Sequence, residues 1–274
     1  MSTAKKAGGA GLRGQSAGET SLCTVGKIGA GLTYRGYDVD DLATNASFYE
    51  TAFLILHGKL PNQAELDAYK KKINGLRELP EAVKKTLELI PATAHPMDVM
   101  RTGCSILGNL ETETSFDQQS DQADRLVAIF PSIICYWYKF AHEGVRIDTA
   151  SDIDGVGAHF LEMLHGKAPS ELHARVMDVS LILYAEHEFN ASTFTGRVVA
   201  STLSDIHSCV TASVGALRGP LHGGANEAAM ALIEQWSTPE EATAVIGHML
   251  DTKQLIMGFG HAVYTERDPR NAII

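Results

Sequence analysis

The sequence predicts a mainly α-helical fold with one small β-hairpin near its N-terminus. Three observations carry this. Apolar residues recur at spacings of three and four along most of the chain after Tyr37, one short glycine-punctuated stretch has β-capable flanks, and Gly-to-Pro punctuation repeats where one helix would stop and the next begin.

The hairpin is expected within Ser21 to Tyr34, where Gly26, Gly29 and Gly31 separate Leu22–Val25 from Leu32–Tyr34. From Tyr37 onward the periodicity is helical. Met97, Met100, Cys104, Leu107 and Leu110 trace one face, with Pro96 as a start signal. Ile206, Val210, Val214 and Leu217 repeat that spacing, as do Ala229, Met230, Ile233 and Trp236. Leu56-His57-Gly58-Lys59-Leu60-Pro61 and Leu164-His165-Gly166-Lys167-Ala168-Pro169 echo each other. Since glycine ends a helix and proline precedes the next, they read as two similar helical corners whose histidines are structural. Leu126 to Phe140 is shorter than the roughly 20 apolar residues of a membrane span and contains Pro131, so it reads as a core helix. Glu111 to Asp124 carries five acids and no base, and reads as a solvated loop within one domain.

With 274 residues and 45% apolar content, the chain can bury a sizeable core. Lys plus Arg is 23 against 33 for Asp plus Glu, and the net charge of −10 argues against nucleic acid or a membrane surface as partner. An anionic substrate would need a local positive cluster. Cys23, Cys104, Cys135 and Cys209 lie far apart without CxxC spacing, which suits reduced, mostly buried thiols in the cytosol. Met1 to Gly18 has Lys5, Lys6 and Arg13 but no apolar run, which argues against a secretory signal, so residues 1–20 read as a flexible tail, with a transit peptide as the alternative.

Two strings stand out among eleven histidines. In Arg218-Gly-Pro-Leu-His222-Gly-Gly-Ala-Asn-Glu227 the imidazole is bracketed by glycines, and a helix beginning near Ala225 would point its free N–H groups back at the loop. In Gly258-Phe-Gly-His261-Ala-Val-Tyr-Thr-Glu-Arg-Asp-Pro-Arg270 the histidine precedes Arg267 and Arg270, types that grip carboxylates bidentately. The bland readings are a capped helix start and a surface turn with solvated arginines.

A third string is Tyr184-Ala-Glu-His187-Glu-Phe-Asn190-Ala-Ser192-Thr-Phe-Thr195. It is not a zincin helix, because the second histidine would fall at Ala191. A metal-dependent hydrolase on His187, His222 and His261 stays open as a competing class. The chain has no GxxxxGK, and its one GxGxxG match, Gly9 to Gly14, has no strand before it. His142, His173, His207 and His248 lack such surroundings and read as structural or exposed, while His95 before Pro96 reads as part of a helix start.

In this order the three strings resemble the citrate synthase family, as do Leu32-Thr-Tyr-Arg-Gly-Tyr-Asp38 and His95-Pro-Met-Asp-Val-Met-Arg-Thr-Gly103. The resemblance runs from about Leu22 to Ile274. The Tyr184 to Thr195 string, Tyr136-Trp137-Tyr138 and Arg218 before Gly-Pro are most similar to the branch that joins propionyl-CoA to oxaloacetate. Ala262, where that branch more often has proline, keeps an acetyl-CoA specialist as the alternative.

The resemblance implies a large helical domain over residues 1–222 and the start of a small, mobile helical domain over 223–274. It implies that His222 stabilises the thioester enol with Ser192 orienting it, that His261 polarises and protonates the oxaloacetate carbonyl, and that His187 and Arg270 hold oxaloacetate. Leu255, Ile256, Met257, Gly258, Phe259 and Gly260 would receive the adenine end of CoA. It further implies a cytoplasmic homodimer with no metal and no permanently bound cofactor, the CoA thioester being a substrate. The family's proton-abstracting aspartate and further substrate arginines follow the Asp-Pro-Arg element, in sequence that these 274 residues do not carry. The expectation is therefore a polypeptide with little or no turnover, with a non-catalytic helical dimer scaffold as the alternative.

Overall fold

The computed structural model describes residues 17–27, 30–259, 264 and 267–274. Residues 1–16 of the expected tail, and Gly260 and His261 of the candidate site, lie outside the described residues; residues 17–20 are exposed and irregular.

The hairpin is present as β1 (Cys23–Lys27) and β2 (Ala30–Tyr34), paired antiparallel with Cys23 opposite Tyr34 and Val25 opposite Leu32. A third strand, β3 (Tyr37–Asp38), extends the sheet in the order β1-β2-β3. Apolar periodicity alone puts Tyr37 at the onset of helix. Arg35 and Gly36 both have positive φ, 47° and 89°, the signature of a two-residue hairpin turn that sets Tyr37 opposite Tyr34. Arg35 is held in place by donating its Nε and one terminal nitrogen to the Ile55 carbonyl.

Helices follow. Asp38 caps α1 (Val39–Asn45), and the capping boxes Ser47/Glu50 and Asn62/Glu65 start α2 (Phe48–His57) and α3 (Gln63–Gly75). Then come α4 (Glu81–Glu88), α5 (Pro96–Leu110), α6 (Gln119–Glu143), α7 (Val156–His165) and α8 (Glu171–Leu183). The remainder are α9 (Ala191–Ala200), α10 (Ile206–Leu217), α11 (Ala225–Ile233), α12 (Pro239–Asp251) and the short α13 (Arg270–Ile273). The two echoed corners are the left-handed ends of α2 and α7 at Gly58 and Gly166, with His57 and His165 in the last turns.

The expected core helix is the middle of α6, whose Ile129, Ile133, Tyr136 and Trp137 are buried against Val83, Leu87, Val99, Cys104 and Leu107 of α4 and α5. The acidic stretch before it is a loop only as far as Ser115; a 3-10 turn follows at Phe116–Gln118, and α6 starts at Gln119. Asp124, read as solvated, is fully buried. It accepts from Tyr69 Oη at 3.0 Å and from Lys72 Nζ at 2.6 Å, so the missing counter-charge comes from α3. A second core lies under the hairpin, where Cys23, Val25, Leu32 and Tyr34 meet Val39, Leu42, Leu54, Ile182 and Leu183. Among the described residues no helix is long and apolar enough to cross a membrane, and all four cysteines are free thiols.

His207 is buried where α10 crosses α5: a Cβ on Gly108 would stand 2.6 Å from His207 Cβ. His159 is buried against Arg77. Ser132 gives its one proton to the Arg77 carbonyl at 2.7 Å, so the His159 Nε2–H donates to Ser132 Oγ at 3.2 Å. Burial and then the Arg77 charge press the His159 pKa down to about 3. The unfolded chain binds that proton near pH 6.5 while the fold refuses it, so this contribution to stability is whole above pH 6.5 and shrinks as pH falls toward 3. At pH 5 the loss from one such group is about 2 kcal/mol. Urea unfolding at pH 7 and pH 5 should show it, and His159→Gln should lose correspondingly less over that interval; an unchanged difference would contradict this account.

Candidate active site

The loop between α8 and α9 supplies His187, and the first turn of α9, five residues on, supplies Ser192. Asn190 caps α9 by accepting from the Thr193 amide at 3.0 Å, which leaves the Ser192 amide at the helix start without a partner inside the helix. That amide donates to His222 Nε2 at 3.3 Å, and Ser192 Oγ lies 2.9 Å from the same nitrogen and 2.7 Å from Asn190 Oδ1, so its one proton is shared between two acceptors. The amide decides the tautomer. A backbone N–H can only donate, so Nε2 carries the lone pair and Nδ1 the proton of the neutral ring. Burial lowers the His222 pKa, which favours that neutral form.

His222 is carried on a turn folded back over the end of α10, with its amide on the Gly219 carbonyl at 2.9 Å. A Cβ on Gly223 would stand 2.6 Å from the Leu217 oxygen, and one on Gly224 2.8 Å from the Arg218 oxygen. The glycine pair is thus needed for the fold-back itself. The N–H donors expected from the start of α11 do not face a ligand: Ala225 and Asn226 donate to the carbonyls of His222 and Gly223 at 3.1 and 3.3 Å. The donor offered to the histidine belongs to α9 instead.

Both flanks of this turn are tied to the first turn of α5. Arg218 Nε donates to Asp98 Oδ2 at 3.1 Å, and His95 Nε2 donates to Glu227 at 2.9 Å while its Nδ1 accepts the Met97 amide at 3.1 Å. His95 therefore builds the helix start, as read from the sequence, and also holds α11.

At the other end of the loop, His187 Nε2 lies 2.9 Å from Tyr264 Oη, with the rings edge to face at 5.5 Å between centroids. The Arg270 guanidinium stands 6.0 Å from the centre of the same tyrosine ring and is bound bidentately by Asp268, through Nε at 2.9 Å and a terminal nitrogen at 2.6 Å. Tyr264 and Asp268 were not singled out from the sequence. Both stand in the quoted Gly258 to Arg270 string, but their partners could not be read from spacing.

The structure therefore brings Ser192 to His222, and places His187 beside Arg270 through Tyr264. Leu255 to Phe259 form the loop after α12; Leu255 and Phe259 are 71% and 78% exposed, and Gly258, at φ 93°, would bring a Cβ within 3.2 Å of Ala229. Among the described residues no cluster of three or more His, Cys, Asp or Glu side chains is arranged to hold a metal ion.

A mainly helical scaffold carrying one histidine on a glycine-bound turn can be compared with known proteins. The family model for the citrate synthase C-terminal domain matches residues 11–274. A 2-methylcitrate synthase of Shewanella oneidensis is 70% identical over all 274 residues, which span 73% of that protein. Among solved structures, citrate synthase from Thermotoga maritima superposes with a TM-score of 0.84 at 35% identity, over 96% of this chain and 70% of that one. The ternary complex of carboxymethyl coenzyme A and oxaloacetate with citrate synthase from Thermoplasma acidophilum gives 0.87 at 31% identity, over 96% and 70%. The chain belongs to the citrate synthase family of acyltransferases.

Proposed function

We propose that the chain is a 2-methylcitrate synthase, which joins propionyl-CoA to oxaloacetate and, with water, yields 2-methylcitrate and CoA. The observation that carries this reading is the 70% identity, across the whole chain, with the Shewanella enzyme of that name. An acetyl-CoA specialist is the alternative that Ala262 suggests.

In this reading a base removes a proton from the α-carbon of the thioester, and the developing enol oxygen takes a hydrogen bond from His222 Nδ1–H. The Ser192 amide supports the assignment, because it leaves only that nitrogen to donate. The enol carbon attacks the keto carbon of oxaloacetate, whose oxygen is protonated by His261. Water then cleaves the thioester and releases CoA. His187 and Arg270 hold oxaloacetate, and residues 255–260 receive the adenine end of CoA, which is a substrate and not a resident cofactor. Asp268 supports the role of Arg270: it occupies the guanidinium with the bidentate geometry a substrate carboxylate would use, so binding is an exchange of one carboxylate for another.

The large domain is read as ending at residue 222 and the small one as beginning at 223, and the enzyme as a cytoplasmic homodimer. Free thiols and the exposed apolar side chains Leu172, Val176 and Val198 on α8 and α9 are consistent with that. Calorimetry tests the site. In a version extended to the full length of the relatives, Arg270→Ala should weaken oxaloacetate binding by about 2 kcal/mol, roughly thirty-fold in Kd. An unchanged Kd would remove Arg270 from the site.

A further inference from the structure

His187 is followed by a residue in a conformation that L-amino acids avoid. Glu188 has φ 53°, in the left-handed region, where a non-glycine side chain is strained and persists only if its surroundings hold it. The hold comes from the far end of the chain. β1 is the edge strand of the sheet, and the Val25 N–H donates to Glu188 Oε1 at 3.0 Å, 163 residues away. On the other side of the histidine, its own amide donates to Glu186 Oε1 at 2.9 Å.

The same hairpin also secures what His187 faces. Tyr34 Oη donates to the carbonyls of Ile182 and Leu183 at 3.0 and 3.2 Å, fixing the end of α8 from which the loop departs. Tyr264 and Ile273 pack on the hairpin core, and a Cβ on Gly31 would touch Pro269 Cγ at 3.5 Å. Both partners of the His187–Tyr264 contact thus rest on one small sheet.

We propose that the β1–β2 hairpin forms one wall of the keto-acid pocket, and that Glu188 is the positioning residue through which Val25 sets the aim of His187. The substrate part of this rests on the reading of His187 as an oxaloacetate contact. If the Val25–Glu188 bond is lost, the 187–188 peptide relaxes to an unstrained conformation and the imidazole swings off Tyr264.

The test combines two readouts. Nitrogen-15 shifts of the His187 ring are recorded on the 274-residue chain, and oxaloacetate and CoA are titrated calorimetrically into the version extended to full length. Glu188→Met, which keeps the bulk but has no acceptor, should move the His187 shifts and weaken oxaloacetate about ten-fold while leaving the CoA Kd within two-fold. Glu188→Gln, which keeps an oxygen for Val25, should restore most of both. Should Glu188→Met not fold, Glu188→Asp, one methylene too short to reach Val25, serves in its place. Unmoved His187 shifts in the folded variant overturn the proposal, as does an equal loss for oxaloacetate and CoA. Separately, His187→Ala with unchanged oxaloacetate affinity would refute the substrate reading while leaving the positioning result standing.

Discussion

Assayed as the 274-residue polypeptide, the chain is expected to release CoA from propionyl-CoA and oxaloacetate at least about 10²-fold more slowly than the same sequence extended to the length of its relatives. Removing a thioester α-proton needs a positioned base, a contribution of about 10² to 10⁴ in rate. The described carboxylates near the candidate site are engaged elsewhere. Glu188 receives the Val25 amide, Glu186 the His187 amide and Glu227 the His95 ring, while Asp268, on Arg270 until oxaloacetate takes its place, stands at the keto-acid end of the proposed site. On the proposed reading His222 does not substitute, because its Nε2 faces the Ser192 amide and its Nδ1–H is the donor assigned to the thioester oxygen. A thiol assay of CoA release on the chain, its mass confirmed as 29.5 kDa, makes the comparison. Rates within ten-fold of each other would mean that a group within these residues supplies the base.

In the extended enzyme, His222→Ala should lower kcat by about 10² to 10³, the usual loss on removing one donor to a developing oxyanion. The tautomer makes the expectation sharper. Asparagine places an N–H near the Nδ1 position and glutamine places one near Nε2, so His222→Asn should retain more activity than His222→Gln. Oxaloacetate affinity should stay within a few-fold in all three, since His222 serves the thioester. The reverse order of Asn and Gln would show that Nε2 is the donor and that the Ser192 amide has been misread.

The parts of the fold that the sequence made legible are those whose stability is local. α5 and α10 announce themselves through apolar spacing and a proline start, and the ends of α2 and α7 through glycines that tolerate a left-handed backbone. β3 was missed because its turn uses Arg35-Gly36, which lacks the Asn-Gly or Asp-Gly signal. The first turns of α6 were hidden by acids whose partners, Tyr69 and Lys72, lie about fifty residues earlier in the chain.

The same distinction holds in the candidate site. His222 and His187 stood out by their neighbours in sequence, and the contacts now seen at each are long-range ones to Ser192 and Tyr264. Glu188 carried no signal at all, since neither its φ nor its bond to Val25 has a local cause. The amides at the start of α11 were misjudged for the opposite reason. The loop that carries His222 supplies acceptors for Ala225 and Asn226 within three residues, so those two amides are turned away from a ligand.

The reading as a 2-methylcitrate synthase is tested most directly by the ratio of kcat/KM for propionyl-CoA to that for acetyl-CoA, with oxaloacetate saturating, in the extended enzyme. One methylene in an apolar pocket is worth about 1 to 3 kcal/mol, so propionyl-CoA should be favoured by roughly 10- to 200-fold, with acetyl-CoA still a slow substrate. Equal efficiencies, or a preference for acetyl-CoA, would contradict the account and assign the chain to the acetyl-CoA specialists of the family.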